Sequence, residues 1–179
     1  MSAGHGHIDP SNKKIALLIA VLALVLAFSE TLGKAAQTNA LSLNIEASNL
    51  WSFFQAKTIR QTVLRTAAEQ TEAISPASTK VIEQWRKTAQ RYQTEPETGE
   101  GREELMARAK EAEKKRDRAM AAYHQYELAS AAVQIAIVLA SAAIVTTAMV
   151  LAWLGAGLGV VGVAFCLIGF LAPTAVHVF

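Results

Sequence analysis

The sequence predicts an all-α membrane protein with three transmembrane helices. A long antiparallel helical hairpin, a coiled-coil-like stalk, lies between the first and the second. Apolar segments stand near both ends of the 179-residue chain, and no Asp, Glu, Lys or Arg follows Glu127. The polar middle contains neither Pro nor Gly from 34 to 74, as a long helix requires. A hydrophobic content of 52% also excludes intrinsic disorder.

The first transmembrane helix is predicted at 15–33, after a flexible tail at 1–14. Ile15 to Phe28 is uninterrupted apolar sequence, and the following turn extends it to the ~20 residues that cross a bilayer core. Lys13 and Lys14 before an apolar stretch also fit a cleaved signal peptide, which is the alternative reading.

The charge-free end of the chain is about twice as long as one membrane span. It predicts transmembrane helices at 129–154 and 155–173 and a short tail at 174–179. We expect Gly155, Gly157 and Gly159 to turn the chain between these two helices, because glycine adopts turn conformations easily. A re-entrant last segment is the alternative.

Small residues recur at helical spacing in all three apolar segments. In lipid such residues let helix backbones approach closely, so they predict packing faces within the protein or between copies. The alternative is that Ala and Gly are simply frequent in membrane helices. The positions are Ala16, Ala20, Ala23, Ala27, Ala132, Ala136, Ala140, Gly155, Gly159 and Gly162.

The polar middle, 34–128, is predicted to form the hairpin, with its turn near 75–78 and a loop at 94–101. Pro76 ends the outgoing helix, and a bend there gives two arms of matching length. A bend at 94–101 is the alternative, but it leaves one arm much longer than the other. A heptad-spaced seam supports the returning arm: Leu105, Ala109, Ala112, Arg116, Ala119, Tyr123 and Tyr126.

Apolar residues lie around more than one face of the outgoing arm. Two helices alone cannot cover them, so we expect copies of the chain to associate into a homo-oligomer through the stalk and the membrane helices. The residues include Leu41, Leu43, Ile45, Leu50, Trp51, Phe53, Phe54, Ile59, Val63 and Leu64.

The segment from Glu46 to Gln61 carries a Trp-x-x-Phe-Gln-Ala-Lys-x-Ile-Arg pattern at Trp51 to Arg60. It resembles the signature of the DUF4337 family of bacterial membrane proteins. A Tyr-His-x-Tyr-Glu-Leu-Ala element at 123–129 and the order of apolar and polar segments agree with that family. The resemblance implies a bacterial integral membrane protein and carries no known activity.

Trp51, Phe54, Gln55, Lys57 and Arg60 form the one candidate interaction site. A helix places them on two adjacent stripes, which could bind an anionic ligand or an acidic partner helix. The structural alternative is that Trp51 and Phe54 fill the hairpin seam while Lys57 and Arg60 pair with glutamates of the returning arm.

The other reactive residues give weak evidence for a functional site. His5 and His7 in the tail could bind a metal, although we expect neither a metal nor a cofactor. Cys166 reads as a packing residue, and His124 with Glu127 as a surface pair or a pH sensor. No catalytic motif is present, so we expect no enzyme. Basic and acidic residues are interleaved at 111–118, which argues against nucleic-acid binding.

The expected function is therefore that of a non-enzymatic, self-associating structural or scaffold protein that presents its stalk to an unknown protein partner. The alternative is a subunit of an oligomeric channel or transporter. The expected location is the bacterial inner (cytoplasmic) membrane. Lys13 and Lys14 favour an extracytoplasmic stalk, whereas the basic residues at 114–118 favour the opposite side.

Overall fold

The computed structural model describes residues 10–175, with side chains from Asn12 onward. Within this range the chain forms four helices: α1 (Pro10–Ile74), α2 (Thr79–Gln93), α3 (Arg102–Thr146) and α4 (Met149–Leu171). The described residues contain no strand, and the long α1 packs against α3. The all-α prediction is confirmed, as are the three long apolar helices on which it depends.

α1 runs without a break from the first apolar segment into the polar middle. Its residues are mostly strong helix formers, and no proline interrupts them before Pro76. The chain divides into two compact units. One, the apolar unit, consists of the described residues up to Asn39 and from Arg118 onward; the other, the hairpin unit, is Ala40–Asp117.

In the apolar unit, three helices pack around small side chains of α3. Val133, Ala136 and Ala140 of α3 are fully buried. Leu22 of α1 packs on the first two of these, and Ile15 packs with Ala140. Small residues on α3 let both neighbouring helices come close.

The turn between α3 and α4 lies earlier than the sequence predicted. α3 ends at Thr146 and α4 begins at Met149, with Thr147 at a φ of 57° between them. The expected break at 154–155, with a turn through the glycines, is wrong. Those glycines lie inside α4, where Gly155 and Gly159 are buried in helix contacts and so serve close approach.

In the hairpin unit, α1 is paired along its length with two successive antiparallel helices. The chain reverses at residues 75–78, and the amide of Ser78 donates to the carbonyl of Ser75 (3.0 Å). Arg86 of α2 then meets Glu72 of α1, and Arg116 of α3 meets Asn44. The predicted hairpin is present, and its returning arm is divided by residues 94–101.

The core of the hairpin unit follows the predicted seam. Leu105, Ala109 and Ala112 of α3 are buried against Ala47 and Leu50 of α1, and the rings of Trp51 and Phe54 cover this cluster. Leu50 thus packs inside the hairpin. The outgoing arm leaves other aliphatic side chains exposed: Leu41, Ile45, Ile59 and Val63.

Candidate functional site

Lys57 is the centre of a polar cluster where α1 meets the loop at 94–101. Only 6% of this residue is exposed. Its Nζ lies 3.7 Å from Oε2 of Glu95 and 3.8 Å from Oε2 of Glu100. The rings of Phe53 and Tyr92 lie 5.3 and 5.2 Å from the same nitrogen. The ammonium is therefore held by two carboxylates and two aromatic faces.

Arg102, the first residue of α3, organises the other half of this cluster. Its Nε donates to Oγ1 of Thr58 (2.8 Å), and one terminal nitrogen donates to the side-chain oxygens of Gln61 and Gln93. Its guanidinium carbon lies 5.0 Å from the centre of the Phe54 ring. One side chain thereby connects α1, α2 and α3.

Gln61, Gln93 and Arg102 were not singled out by the sequence. Gln61 is buried and donates from Nε2 to the carbonyl of Ala89 (3.0 Å) and to Oε1 of Gln93 (3.1 Å). Each of these residues lies among other polar residues in sequence. The one available signal was the position of Gln61 at heptad spacing from Ala47 and Phe54, which places an amide in the seam.

Two glutamates around the loop have lowered pKa values. A hydrogen bond from Arg91 to Oε1 of Glu95 (2.7 Å) lowers the pKa of Glu95. Hydrogen bonds from Gln93 and Thr94 lower the pKa of Glu103. Both shifts arise because the donors stabilise the ionised carboxylate.

The five predicted interaction residues divide into an inner and an outer set. Trp51 donates from Nε1 to Oε1 of Glu113 (2.9 Å) and stacks edge-on against Phe54, with the ring centres 5.4 Å apart. Together with Lys57 they face the returning chain. Gln55 and Arg60 are exposed, and within the described residues Arg60 makes no ion pair. The structural alternative paired both cations with glutamates of the returning arm. Lys57 does meet two glutamates, but both belong to the loop at 94–101. For Arg60 that pairing is wrong within the described residues.

The contacts of this cluster are those of a structural site that holds helices together. Its cations face carboxylates, amides and rings, an arrangement that fixes three helices at one place. Among the described residues, no group of three His, Cys, Asp or Glu side chains could hold a metal ion. A cleft of about 340 Å³ lies beside the cluster, between Arg65 and Arg86.

The predicted packing residues also divide into two sets. Gly155, Gly159 and Gly162 of α4 are buried, as are Ala136 and Ala140 of α3, and Ala132 is half-buried. An added Cβ at Gly155 would lie 2.8 Å from the carbonyl oxygen of Ala136. The stripe of α1 points away from these contacts and is exposed: Ala16, Ala20, Ala23 and Ala27.

The remaining candidate residues of the sequence analysis do not belong to the polar cluster. His124 and Glu127 are exposed, with Nδ1 of the histidine 3.6 Å from Oε2 of the glutamate. Cys166 is half-buried and unpaired within the described residues. The two tail histidines, His5 and His7, lie outside the described residues.

One known protein family matches this chain. A family model described as a domain of unknown function (DUF4337) matches residues 11–172, which is most of the chain. The chain belongs to the DUF4337 family. No curated protein and no solved structure matches this DUF4337 chain. The matched range includes all four helices of this chain apart from the first residue of α1.

Proposed function

We propose that this DUF4337 chain is an integral membrane protein without enzymatic activity, which associates with itself and presents its helical hairpin to a protein partner. The observation that carries membrane insertion is the poor burial of its most apolar segments. The best windows of α1, α3 and α4 have mean hydropathies of 2.5, 2.3 and 2.3, yet only 17%, 28% and 22% of their residues are buried. Such apolar surface requires lipid around it.

Self-association is supported by the unequal use of the small residues. In α3 and α4 they line contacts inside the chain, whereas Ala16, Ala20, Ala23 and Ala27 of α1 are all exposed. Small residues at 3–4 spacing permit close contact between helices in lipid. A second copy of the chain is the partner that every membrane containing this protein supplies.

The hairpin supports a presenting role because contacts within the unit hold its helices together where they meet the loop. Lys57 and Arg102 fix the loop and the three helix segments around them. Solvated charges cover much of its remaining surface, for example Lys110, Lys114 and Lys115 of α3. Such a rigid arm can offer the same surface to a partner each time.

The location proposed is the bacterial inner membrane, with the hairpin on the extracytoplasmic side. Lys13 and Lys14 before the first apolar segment support a cytoplasmic N-terminus. Labelling of a cysteine at exposed Lys114 by an impermeant maleimide in intact cells tests the side, with Cys166 replaced by alanine. Labelling only after cell lysis would contradict it.

Self-association is tested by the mass of the full chain in mild detergent. We expect a defined oligomer from the parent protein. Ala23→Phe should lower the mass towards that of a monomer, whereas Val21→Phe, at an exposed apolar position on another side of α1, should not. A monomeric parent protein would contradict self-association. Equal effects of the two variants on the mass would contradict a contact through the four exposed alanines of α1.

A further inference from the structure

A polar cleft lies in the apolar unit, where α1 and α3 run side by side. Its volume of about 400 Å³ is in the range of small-ligand sites. Gly33 of α1 lets the two helices come close at the cleft, since an added Cβ would lie 3.3 Å from the Cβ of Tyr126 on α3. The lining includes two glutamates, a lysine, two serines, two glutamines and two tyrosines. This set of donors and acceptors is suited to a polar ligand.

The cleft lies at the level where the charge-free parts of both helices end. α1 has no charged residue between Lys14 and Glu30, and α3 has none after Glu127. Glu30 and Glu127 both line the cleft, together with Tyr123 and Tyr126. Tyrosine is enriched where the hydrocarbon of a bilayer meets its headgroups. Given the proposed membrane insertion, on which this inference rests, the cleft lies in the headgroup layer.

A buried hydroxyl in the lining lacks a partner. Ser29 is 0% exposed, and its Oγ has no hydrogen-bond partner among the described residues. A hydroxyl on a helix can donate to the carbonyl four residues back, as Thr31 does to Ala27 (2.8 Å). An unpaired buried hydroxyl costs free energy. A polar group bound in the cleft would supply the missing partner.

The charged residues that α1 contributes to the cleft are not paired with each other. Glu30 and Lys34 stand four positions apart, the spacing of a helical ion pair, yet neither forms one among the described residues. Oε1 of Glu30 instead accepts from Nε2 of Gln134 on α3 (3.3 Å). The ammonium of Lys34 and the other oxygen of Glu30 are therefore available to a ligand.

Glu127 contributes a second carboxylate, from α3. The hydroxyl of Tyr123 donates to its Oε1 (2.8 Å), and Nδ1 of His124, outside the lining, lies 3.6 Å from its Oε2. Each carboxylate oxygen has two lone pairs, so Glu127 can still accept from a ligand. The cleft thus combines one lysine with two carboxylates.

We propose that the cleft binds the headgroup of a phospholipid with a primary ammonium group, of the phosphatidylethanolamine class. The carboxylates of Glu30 and Glu127 accept from the ammonium, and Lys34 donates to the phosphate. An anionic headgroup without an ammonium would meet two carboxylates and one cation, which is unfavourable. A choline headgroup has no N–H group to donate to the carboxylates.

The surface beyond the cleft supports a lipid rather than a soluble ligand. Ala131 lines the cleft on α3, and Ile135 and Val138 follow it at helical spacing on the same face. Ile135 and Val138 are 55% and 66% exposed. The acyl chains of a lipid whose headgroup occupies the cleft would cover this apolar surface.

Lipid binding to the full chain in mild detergent tests the headgroup class. Dioleoyl phosphatidylethanolamine, phosphatidylcholine and phosphatidylglycerol are added separately, and native mass spectrometry measures the bound lipid. We expect the ethanolamine lipid to bind about tenfold more tightly than the other two. Soluble glycerophosphoethanolamine, which lacks the acyl chains, should bind about tenfold more weakly than the ethanolamine lipid.

Substitutions in the lining assign the binding to the cleft. Glu30→Gln with Glu127→Gln should make the affinities for the ethanolamine and choline lipids equal. Glu46→Gln with Glu97→Gln changes the net charge by the same amount at exposed positions outside the cleft, and should keep the preference of about tenfold. Ser29→Ala should weaken binding of the ethanolamine lipid about fivefold, the net worth of one hydrogen bond. The helical circular dichroism signal should be the same in all these proteins.

The outcomes separate this inference from the proposed function. Equal affinities of the parent protein for the three lipids overturn the inference, as does a preference that survives Glu30→Gln with Glu127→Gln or binding that is unchanged by Ser29→Ala. Soluble glycerophosphoethanolamine that binds as tightly as the lipid would overturn the lipid as the ligand. All these results leave membrane insertion intact. Release of the chain from membranes by alkaline carbonate would overturn insertion and this inference together.

Discussion

A Cβ atom added at Gly155 would lie 2.8 Å from the carbonyl oxygen of Ala136, which is closer than real Cβ atoms approach other atoms. A backbone oxygen cannot move aside as a flexible side chain can. The contact therefore fixes how near α4 lies to α3, and it makes glycine a requirement at this position of the apolar unit.

Gly155→Ala should destabilise the protein by about 1–3 kcal/mol, because the added methyl group forces the two backbones apart. Gly157→Ala is the matched control, since a Cβ added there would meet no heavy atom within 4 Å apart from its chain neighbours and the nearby backbone of its own helix. There the better helix propensity of alanine should leave stability unchanged or slightly raised. Thermal melting in one detergent, followed by circular dichroism, measures both. Equal melting temperatures for the two variants would contradict the close contact.

The same glycines show where the sequence alone was insufficient. The fold class follows from the missing charges after Glu127 and from the stretch between Lys34 and Ile74 without helix breakers, since both are properties of the chain itself. The function of a glycine is different. It serves turns and close contacts equally well, and only the position of α3 shows that Gly155 makes a contact.

The polar cluster was hidden for a similar reason. Lys57 was noticed through its neighbours Trp51 and Phe54, but Arg102 follows a loop and precedes Glu103, as an ordinary surface cation does. Its partners Thr58 and Gln61 are more than forty positions away in the chain. Pairing of that kind depends on the exact register of α1 with α3, which a heptad pattern restricts only to within a turn.

Lys57→Ala should lower the stability of the hairpin unit by about 2 kcal/mol. The substitution removes the cation between Glu95 and Glu100 and empties the space between the rings of Phe53 and Tyr92. Hydrogen exchange of α1 amides near residue 57, in the full chain, reports the local loss. Arg60→Ala, three residues on and exposed, should stay within about 0.5 kcal/mol. Equal losses of stability in the two variants would contradict a specific stabilising role for the carboxylates and rings around Lys57.

Stability of the hairpin unit should fall as the pH drops below about 4.5. Glu95 and Glu103 both have pKa values lowered from 4.5, chiefly by hydrogen bonds from Arg91 and Gln93 respectively. The unfolded chain therefore takes up protons first as the pH falls. The stabilisation from each group is complete above its unfolded pKa and disappears as the pH passes through its lower folded pKa.

Melting temperatures between pH 3 and pH 7 measure this dependence. The variant Glu95→Gln with Glu103→Gln should melt lower than the parent at neutral pH and lose less on acidification. Glu97→Gln, on an exposed loop residue without a hydrogen bond or ion pair among those described, is the control and should follow the parent curve. A double variant with the parent's full acid sensitivity would assign that sensitivity to other carboxyl groups.

Arg102→Lys should destabilise the hairpin unit by about 2 kcal/mol although the charge is kept. The planar guanidinium reaches Thr58, Gln61 and Gln93 while it stacks on the Phe54 ring. An ammonium group cannot donate in all these directions and stack as well, so at least one buried amide oxygen loses its donor. Arg65→Lys, at an exposed position of the same unit without a hydrogen bond among the described residues, should change stability by less than about 0.5 kcal/mol. Denaturant unfolding of the parent and the two variants in one detergent compares them. If Arg102→Lys unfolds at the parent's midpoint, the position needs only a positive charge, and the three helix segments are joined by other contacts.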